Sequence, residues 1–182
     1  QRSIRDRVRT IRDVVPDIAI RTTCIVGFPG ETDDDFGQLM AFLEEIQFER
    51  VGAFTYSPQD GTRAAAMHDD VPESLKRLRL ERLQELQRQI TAERYERFVG
   101  STARTMVDRI VDGEAQARTV WQADDVDGVT LLDGAESLEP GTIVDAVIEG
   151  VEDDVDFRAT LLRVVDRPVA PAPRARALPV IG

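Results

Sequence analysis

Cysteine is nearly absent from this chain: its 182 residues include one, Cys24. A single thiol excludes an internal disulfide framework and a cysteine-built metal site. The one histidine, His68, has no second His or Cys at ligand spacing, which leaves it outside metal chemistry. No stretch approaches the 18 or so consecutive apolar residues of a membrane span, and the beginning lacks the charged-then-apolar layout of a secretory leader. A cytoplasmic protein with no membrane partner is expected. Positive charge is also scarce, with 23 Lys and Arg against 34 Asp and Glu and a net charge of −11. The imbalance is local: residues 96 to 167 hold 17 acids and 7 bases, whereas the rest of the chain is close to neutral. A surface that grips nucleic acid neutralises phosphates with Lys and Arg. This segment would repel a phosphate backbone and attract a basic partner, or serve only as a solubilising acidic surface.

The most informative stretch runs from Ile18 to Ser57. Ile18-Ala-Ile-Arg-Thr-Thr-Cys-Ile-Val-Gly27 is rich in β-branched residues and stops at a glycine, as a strand does. Thr32 is placed to cap a following helix, with Asp33, Asp34 and Asp35 in the first turn where the macrodipole favours carboxylates. Leu39, Met40, Leu43 and Ile46 then recur at helical spacing, and Val51 to Tyr56 reads as a second strand. Strand, helix and strand with so long a crossover make one parallel, right-handed βαβ unit. Ligands of parallel sheets lie beyond the carboxyl ends of the strands. Gly27 to Thr32 and Ser57 to Thr62 are therefore expected at one mouth.

Around this unit the chain divides into four parts. Residues 1 to 70 contain a helix from Gln1 to Val15, with Ile4, Val8, Ile11 and Val15 on one face and no capping residue, followed by the βαβ unit. Two parallel strands alone leave exposed edges, so this part is expected to belong to a larger α/β domain and to fold poorly without it. Residues 71 to 100 form a long connecting helix, capped by Asp70 or Val71, whose stripe of Leu75, Leu78, Leu83, Leu86, Ile90 and Phe98 should lie on the α/β part. Residues 101 to 167 switch to period two. Strands are expected at Thr102 to Val111, Ala115 to Gln122, Gly128 to Leu132, Thr142 to Val151 and Asp156 to Val165, separated by turns such as Asp112-Gly113 and Pro140-Gly141. They suit a small antiparallel barrel. Residues 168 to 182, a Pro and Ala tail without periodicity, are expected to be disordered.

Ile25-Val-Gly-Phe-Pro-Gly-Glu-Thr32, then Phe54-Thr-Tyr-Ser-Pro58 and Gly61-Thr62, resembles the late barrel strands of radical S-adenosylmethionine methylthiotransferases. The branch it is most similar to methylthiolates an aspartate of the S-twelve protein of the small ribosomal subunit. The resemblance extends over roughly residues 1 to 166 and makes the terminal barrel similar to a TRAM module, a relative of the oligonucleotide-binding fold. It implies a fold of α/β barrel strands followed by that small barrel. It also implies S-adenosylmethionine and two 4Fe-4S clusters as cofactors of the full-length enzyme.

Carried onto this sequence, the resemblance makes Ile25, Val26, Gly27, Gly30 and Tyr56 candidates for cofactor binding. The glycines would allow close approach, and Ile25 and Val26 would contribute main-chain groups and an apolar wall. Each also has a plain structural reading as a strand end or a strand-to-helix turn. For docking of a basic ribosomal protein the candidates are Trp121, Asp124, Asp125, Asp127, Asp154, Asp156 and Phe157, the aromatics being equally readable as barrel core. Cys24 reads as a small buried hydrophobe. The family's clusters need several cysteines, which this chain does not have, so no residue here is expected to be catalytic or to bind metal. The chain alone is expected to be inactive and to need an amino-terminal part of the same enzyme. A transfer-RNA methylthiotransferase of the same superfamily and an inactive binding module remain as alternatives, with RNA disfavoured by the acidic barrel.

Overall fold

The computed structural model describes residues 3–123, 126–153 and 155–168. The expected disordered tail and three of the acidic candidates, Asp124, Asp125 and Asp154, lie outside the described residues, the tail except for Pro168. Helix α1 (Ile4–Val14) does have a cap: Ser3 Oγ accepts the Asp6 N–H and the Asp6 carboxylate accepts the Ser3 N–H, a reciprocal capping box. Only Val8 of its expected apolar face is buried, while Ile4, Ile11 and Val15 are exposed.

Strand β1 (Arg21–Val26) pairs in parallel with β2 (Arg50–Thr55), Ile25 opposite Phe54. Between them α2 (Asp33–Ile46) begins at Thr32 with a second capping box, closed by Asp35. The hydrogen bonds from Thr32 hold the Asp35 carboxyl below its usual range. Phe36, Leu43 and Ile46 of α2 pack with Val26, Phe48, Leu83 and Ile90 in one core. Strand alternation turns Val26, and with it Cys24, Val51 and Ala53, toward the helices. The other face of the sheet carries Ile25 and Phe54, both more than half exposed.

Helix α3 (Glu73–Glu96) departs from its expected leucine stripe. Its buried residues are Lys76, Arg79, Leu83, Gln87, Ile90, Thr91 and Tyr95, while Leu78 is half exposed. The reason is the surface it covers, which offers carboxylates and strand-end carbonyls. Arg79 pairs with Glu31 and Asp33 at 2.7 Å each, Gln87 donates to the Phe48 carbonyl at 2.9 Å, and the Thr91 hydroxyl donates to the Glu49 carbonyl at 3.0 Å. Its N-cap is Pro72, in place of the expected Asp70 or Val71, with no side-chain cap bond.

Glu49, fully buried immediately before β2, gathers three helix-borne arginines. Its carboxylate meets Arg94 at 2.5 Å, Arg97 at 3.3 Å and Arg12 at 3.4 Å, and accepts the Ile20 N–H at 2.8 Å. Arg12 also donates to the Ile46 and Gln47 carbonyls at the end of α2. Burial and the neighbouring Arg94 draw the Arg12 and Arg97 guanidinium pKa values below their usual level.

The second unit is a closed barrel of β3 (Thr102–Val111), β4 (Glu114–Thr119), β5 (Thr130–Asp133), β7 (Asp156–Asp166) and β6 (Ile143–Glu152), neighbours in that order. Four junctions are antiparallel as expected, but β5 and β7 run parallel. The chain reverses direction between β5 and β6 and again between β6 and β7, so β7 lies beside β5 pointing the same way. The end of α3 plugs this barrel: Tyr95 stacks on Phe157 at 4.5 Å and Phe98 on Trp121 at 3.7 Å between centroids. Arg50 joins the units from the other side. It donates to the Asp127 and Val155 carbonyls, and its guanidinium lies 5.0 Å above the Tyr95 ring.

Replacing Glu49 by Gln leaves three guanidinium groups around a neutral amide. The expected loss is about 3–5 kcal/mol in unfolding free energy by urea titration. Glu45→Gln, which breaks only the exposed pair with Arg5, is expected to cost less than about 1 kcal/mol.

Candidate functional site

The mouth forms where both strands end. The Tyr56 N–H donates to the Val26 carbonyl at 2.8 Å, carrying the parallel pairing one residue past β2 and setting Tyr56 beside the Gly27 turn. Phe28 meets the Tyr56 ring edge-on at 5.2 Å. The end of β2 is thus brought against the Gly27 turn.

The turn is held by carboxylates of this chain. The Gly27 N–H donates to Glu31 at 3.0 Å and the Gly30 N–H to Asp70 at 2.8 Å. That bond, with one from its own backbone, keeps the Asp70 carboxyl below its usual range. Both glycines have positive φ, +71° and +81°, which the turn demands. They differ in surroundings: a Cβ at Gly27 would lie 2.3 Å from Cγ of Lys76, whereas nothing approaches Gly30. The close approach at Gly27 is therefore made by a lysine stem of α3.

Lys76 is the residue that pattern reading missed. It is 1% exposed, its ammonium pairs with Asp69 at 2.5 Å and Glu73 at 2.8 Å, and it lies 5.6 Å from the centre of the Tyr56 ring. These bonds raise its pKa. The one signal was its phase, since Lys76, Leu83 and Ile90 are seven residues apart on one face of α3.

The five mouth candidates sort by environment. Ile25 is exposed on the open sheet face, beside Phe54, as an apolar wall requires. The Val26 side chain is fully buried against α2, so only its main chain can face a ligand and its place in the wall is corrected. Gly27 is buried, Gly30 is exposed, and Tyr56 is 8% exposed with a hydroxyl that has no hydrogen-bond partner. The mouth thus presents an apolar face at Ile25, Phe28 and Phe54, while the unpartnered Tyr56 hydroxyl is shut off from solvent. The Gly27 and Gly30 amides are already engaged. An iron–sulfur cluster does not fit these residues. Cys24 is half-buried on the helix side, where burial pushes its thiol up, and the described residues contain no group of three or more His, Cys, Asp or Glu able to hold a metal ion.

On the barrel, two docking candidates, Phe157 and Asp127, are corrected. Phe157 is fully buried and stacked on Tyr95, out of reach of a partner. Asp127 is 5% exposed, accepting the Ala123 N–H at 3.0 Å and pairing with Arg21 and Arg50 at 3.3 and 3.7 Å. Asp156 accepts the Val129 N–H at 2.8 Å, which ties down the approach to β5. Trp121 is partly buried and lines a cavity of about 270 Å³ between the units, with Ile20 and Val120. The exposed acids of the barrel are others, Asp112, Glu114, Glu136, Glu139, Glu149, Asp153 and Asp166. No helix among the described residues is long and apolar enough to cross a membrane.

Gly27→Ala is expected to destabilise the chain in thermal unfolding through both its positive φ and its collision with Lys76. Adding Lys76→Ala should not restore the wild-type midpoint, because the backbone strain remains after the collision is removed.

The TRAM domain family matches residues 99–162, the barrel with its lead-in. Over 142 residues the chain is 47% identical to the ribosomal protein uS12 methylthiotransferase RimO of Methylobacillus flagellatus, covering 78% of this chain and 32% of that protein. It is 40% identical over 157 residues to the protein of the same name from Vibrio cholerae, covering 86% and 33%. With that of Methylococcus capsulatus it shares 43% over 159 residues, covering 87% and 36%. The chain spans about a third of the length of the curated relatives it matches. Strand ends, connecting helix and TRAM barrel thus correspond to the carboxyl-terminal region of proteins named as ribosomal protein uS12 methylthiotransferases, to which the chain is similar over most of its length.

Proposed function

We propose that this chain supplies the late strands of a radical methylthiotransferase barrel together with the module that receives its substrate, a basic ribosomal protein of the uS12 type. The observation that carries the reading is the rigid tie between an acidic barrel and a strand-end mouth. Arg50 starts β2 and bonds into the barrel, Tyr95 and Phe98 end α3 and fill the barrel core, and β2 itself leads to Tyr56. A protein held on the acidic barrel is thereby held at a set distance from the mouth.

In this reading, S-adenosylmethionine supplies the radical-forming and methyl-donating chemistry when bound, and 4Fe-4S clusters ligated elsewhere in a full-length enzyme work with it. The part taken by this chain is positional. Ile25, Phe28 and Phe54 offer the cofactor an apolar wall. A transfer-RNA substrate is disfavoured by the charge of residues 96 to 167, which opposes a phosphate backbone.

The test is binding of purified uS12 to the 182-residue chain, followed by calorimetry at two salt concentrations. Binding is expected to weaken at the higher salt and to fall at least about tenfold in a Glu136→Gln, Glu139→Gln, Glu149→Gln variant. Salt-dependent retention of transfer RNA with no capture of uS12 would overturn the reading.

A further inference from the structure

The edge of β2 facing away from β1 has no strand partner among the described residues. Its polarity follows from two bonds. The Arg50 N–H donates to the Ile20 carbonyl and the Tyr56 N–H to the Val26 carbonyl, so even-numbered residues turn their amides toward β1. Val51, Ala53 and Thr55 consequently turn their N–H and C=O groups to the free edge. Natural proteins blunt such edges with proline, charge, bulges or a cover. Val51-Gly-Ala-Phe-Thr55 has none of the first two, and its pairing with β1 runs without a register shift.

Nor is the edge covered. A cavity of about 660 Å³ runs along it, walled by Gly52, Ala53 and Phe54 of the strand, Glu81 and Gln84 of α3 and Val126 of the barrel. The two units together thus frame a slot beside an unpaired strand. An earlier strand of the same fold would not fill it. The α1 helix packs on the same sheet face as α2, with Val8 in the same core. By the right-handed rule, a strand leading into α1 would pair with the far edge of β1. After β2 the chain goes to α3 and the barrel.

We propose that the free edge of β2 receives a basic, extended segment of a protein partner as a third strand. The segment's backbone pairs with Val51, Ala53 and Thr55. Its side chains alternate between the open sheet face at Phe54 and the α3 side, where Glu81 has no ion-pair partner among the described residues. Within the slot Arg88 pairs with Glu85, and Arg21 and Arg50 pair with Asp127, which leaves the Glu81 carboxylate to meet a basic side chain; the barrel region beyond, with a net charge of −10, favours a basic segment on approach. A strand laid there runs along β2 toward Tyr56 and so leads to the mouth. The inference rests on the proposed function for the identity of the partner, the basic uS12 protein, and adds where and how it is gripped.

The test is amide hydrogen exchange on the 182-residue chain with and without purified uS12, beside the affinity of an Ala53→Pro variant. Proline at position 53 removes an edge-facing donor and leaves the amides that pair with β1 in place. The expected result is slower exchange at Val51, Ala53 and Thr55 on adding uS12, and at least about tenfold weaker binding by the variant. The exchange measurement on the unsubstituted chain stands even if the variant unfolds. Binding of uS12 with these three amides unchanged would overturn the inference and leave the proposed function standing. Failure of uS12 to bind at all would overturn both. Concentration-dependent protection of the three amides without uS12 would assign the edge to a second copy of the chain and also overturn it.

Discussion

A single buried carboxylate holds the helices of this molecule against its parallel strands. Glu49 accepts from α1 through Arg12, from α3 through Arg94 and Arg97, and from the segment entering β1 through the Ile20 N–H. No fully buried charge is tolerable without such partners, since the cost of stripping its water is several kcal/mol. The arrangement is demanding in direction as well as charge. The guanidinium groups arrive from two helices, Arg12 from α1 and Arg94 and Arg97 from the end of α3, so the helices cannot slide independently of the strands. The next residue, Arg50, faces the opposite way and fastens the barrel. Two adjacent residues of opposite sign thus fix α3 and the barrel against β2.

That junction explains why the barrel has so little independence from the helix before it. Tyr95 and Phe98 sit in the barrel core, with Tyr95 in contact with both Phe157 and the Arg50 guanidinium. Burial pushes the Tyr95 phenol up, an effect that the nearby guanidinium opposes. The aromatic stack of Phe98 on Trp121 continues the same surface to the loop after β4. Residues that look like a binding patch when read as acids and aromatics in sequence are, in large part, the material of this joint.

The strand ends, caps and turn positions were legible before the structure because they rest on local chemistry. Thr32 and Asp35 form their capping box within four residues, and Gly27 and Gly30 adopt the positive φ that marks a sharp turn. The barrel strands were legible through their period of two and their glycine turns. The cap at Ser3 was missed although it is equally local. The buried face of α3 was misread for a different reason: its partners, Glu31, Asp33, Phe48 and Glu49, come from two other segments, and a helix that faces polar groups buries Lys76, Arg79 and Gln87 in place of Leu78.

The sequence by itself determined the strand–helix–strand unit, the acidic character of the second module and the lack of thiols for any cluster, since each depends only on residue type and spacing along the chain. Tertiary structure alone decided which charges are free to meet a partner. Asp127 looks like Glu139 in composition, but Asp127 is buried against the Ala123 amide and arginines brought from another segment, and Glu139 is exposed. A carboxylate's role depends on whether its solvation is replaced by the protein, and that is settled by contacts between residues far apart in the chain.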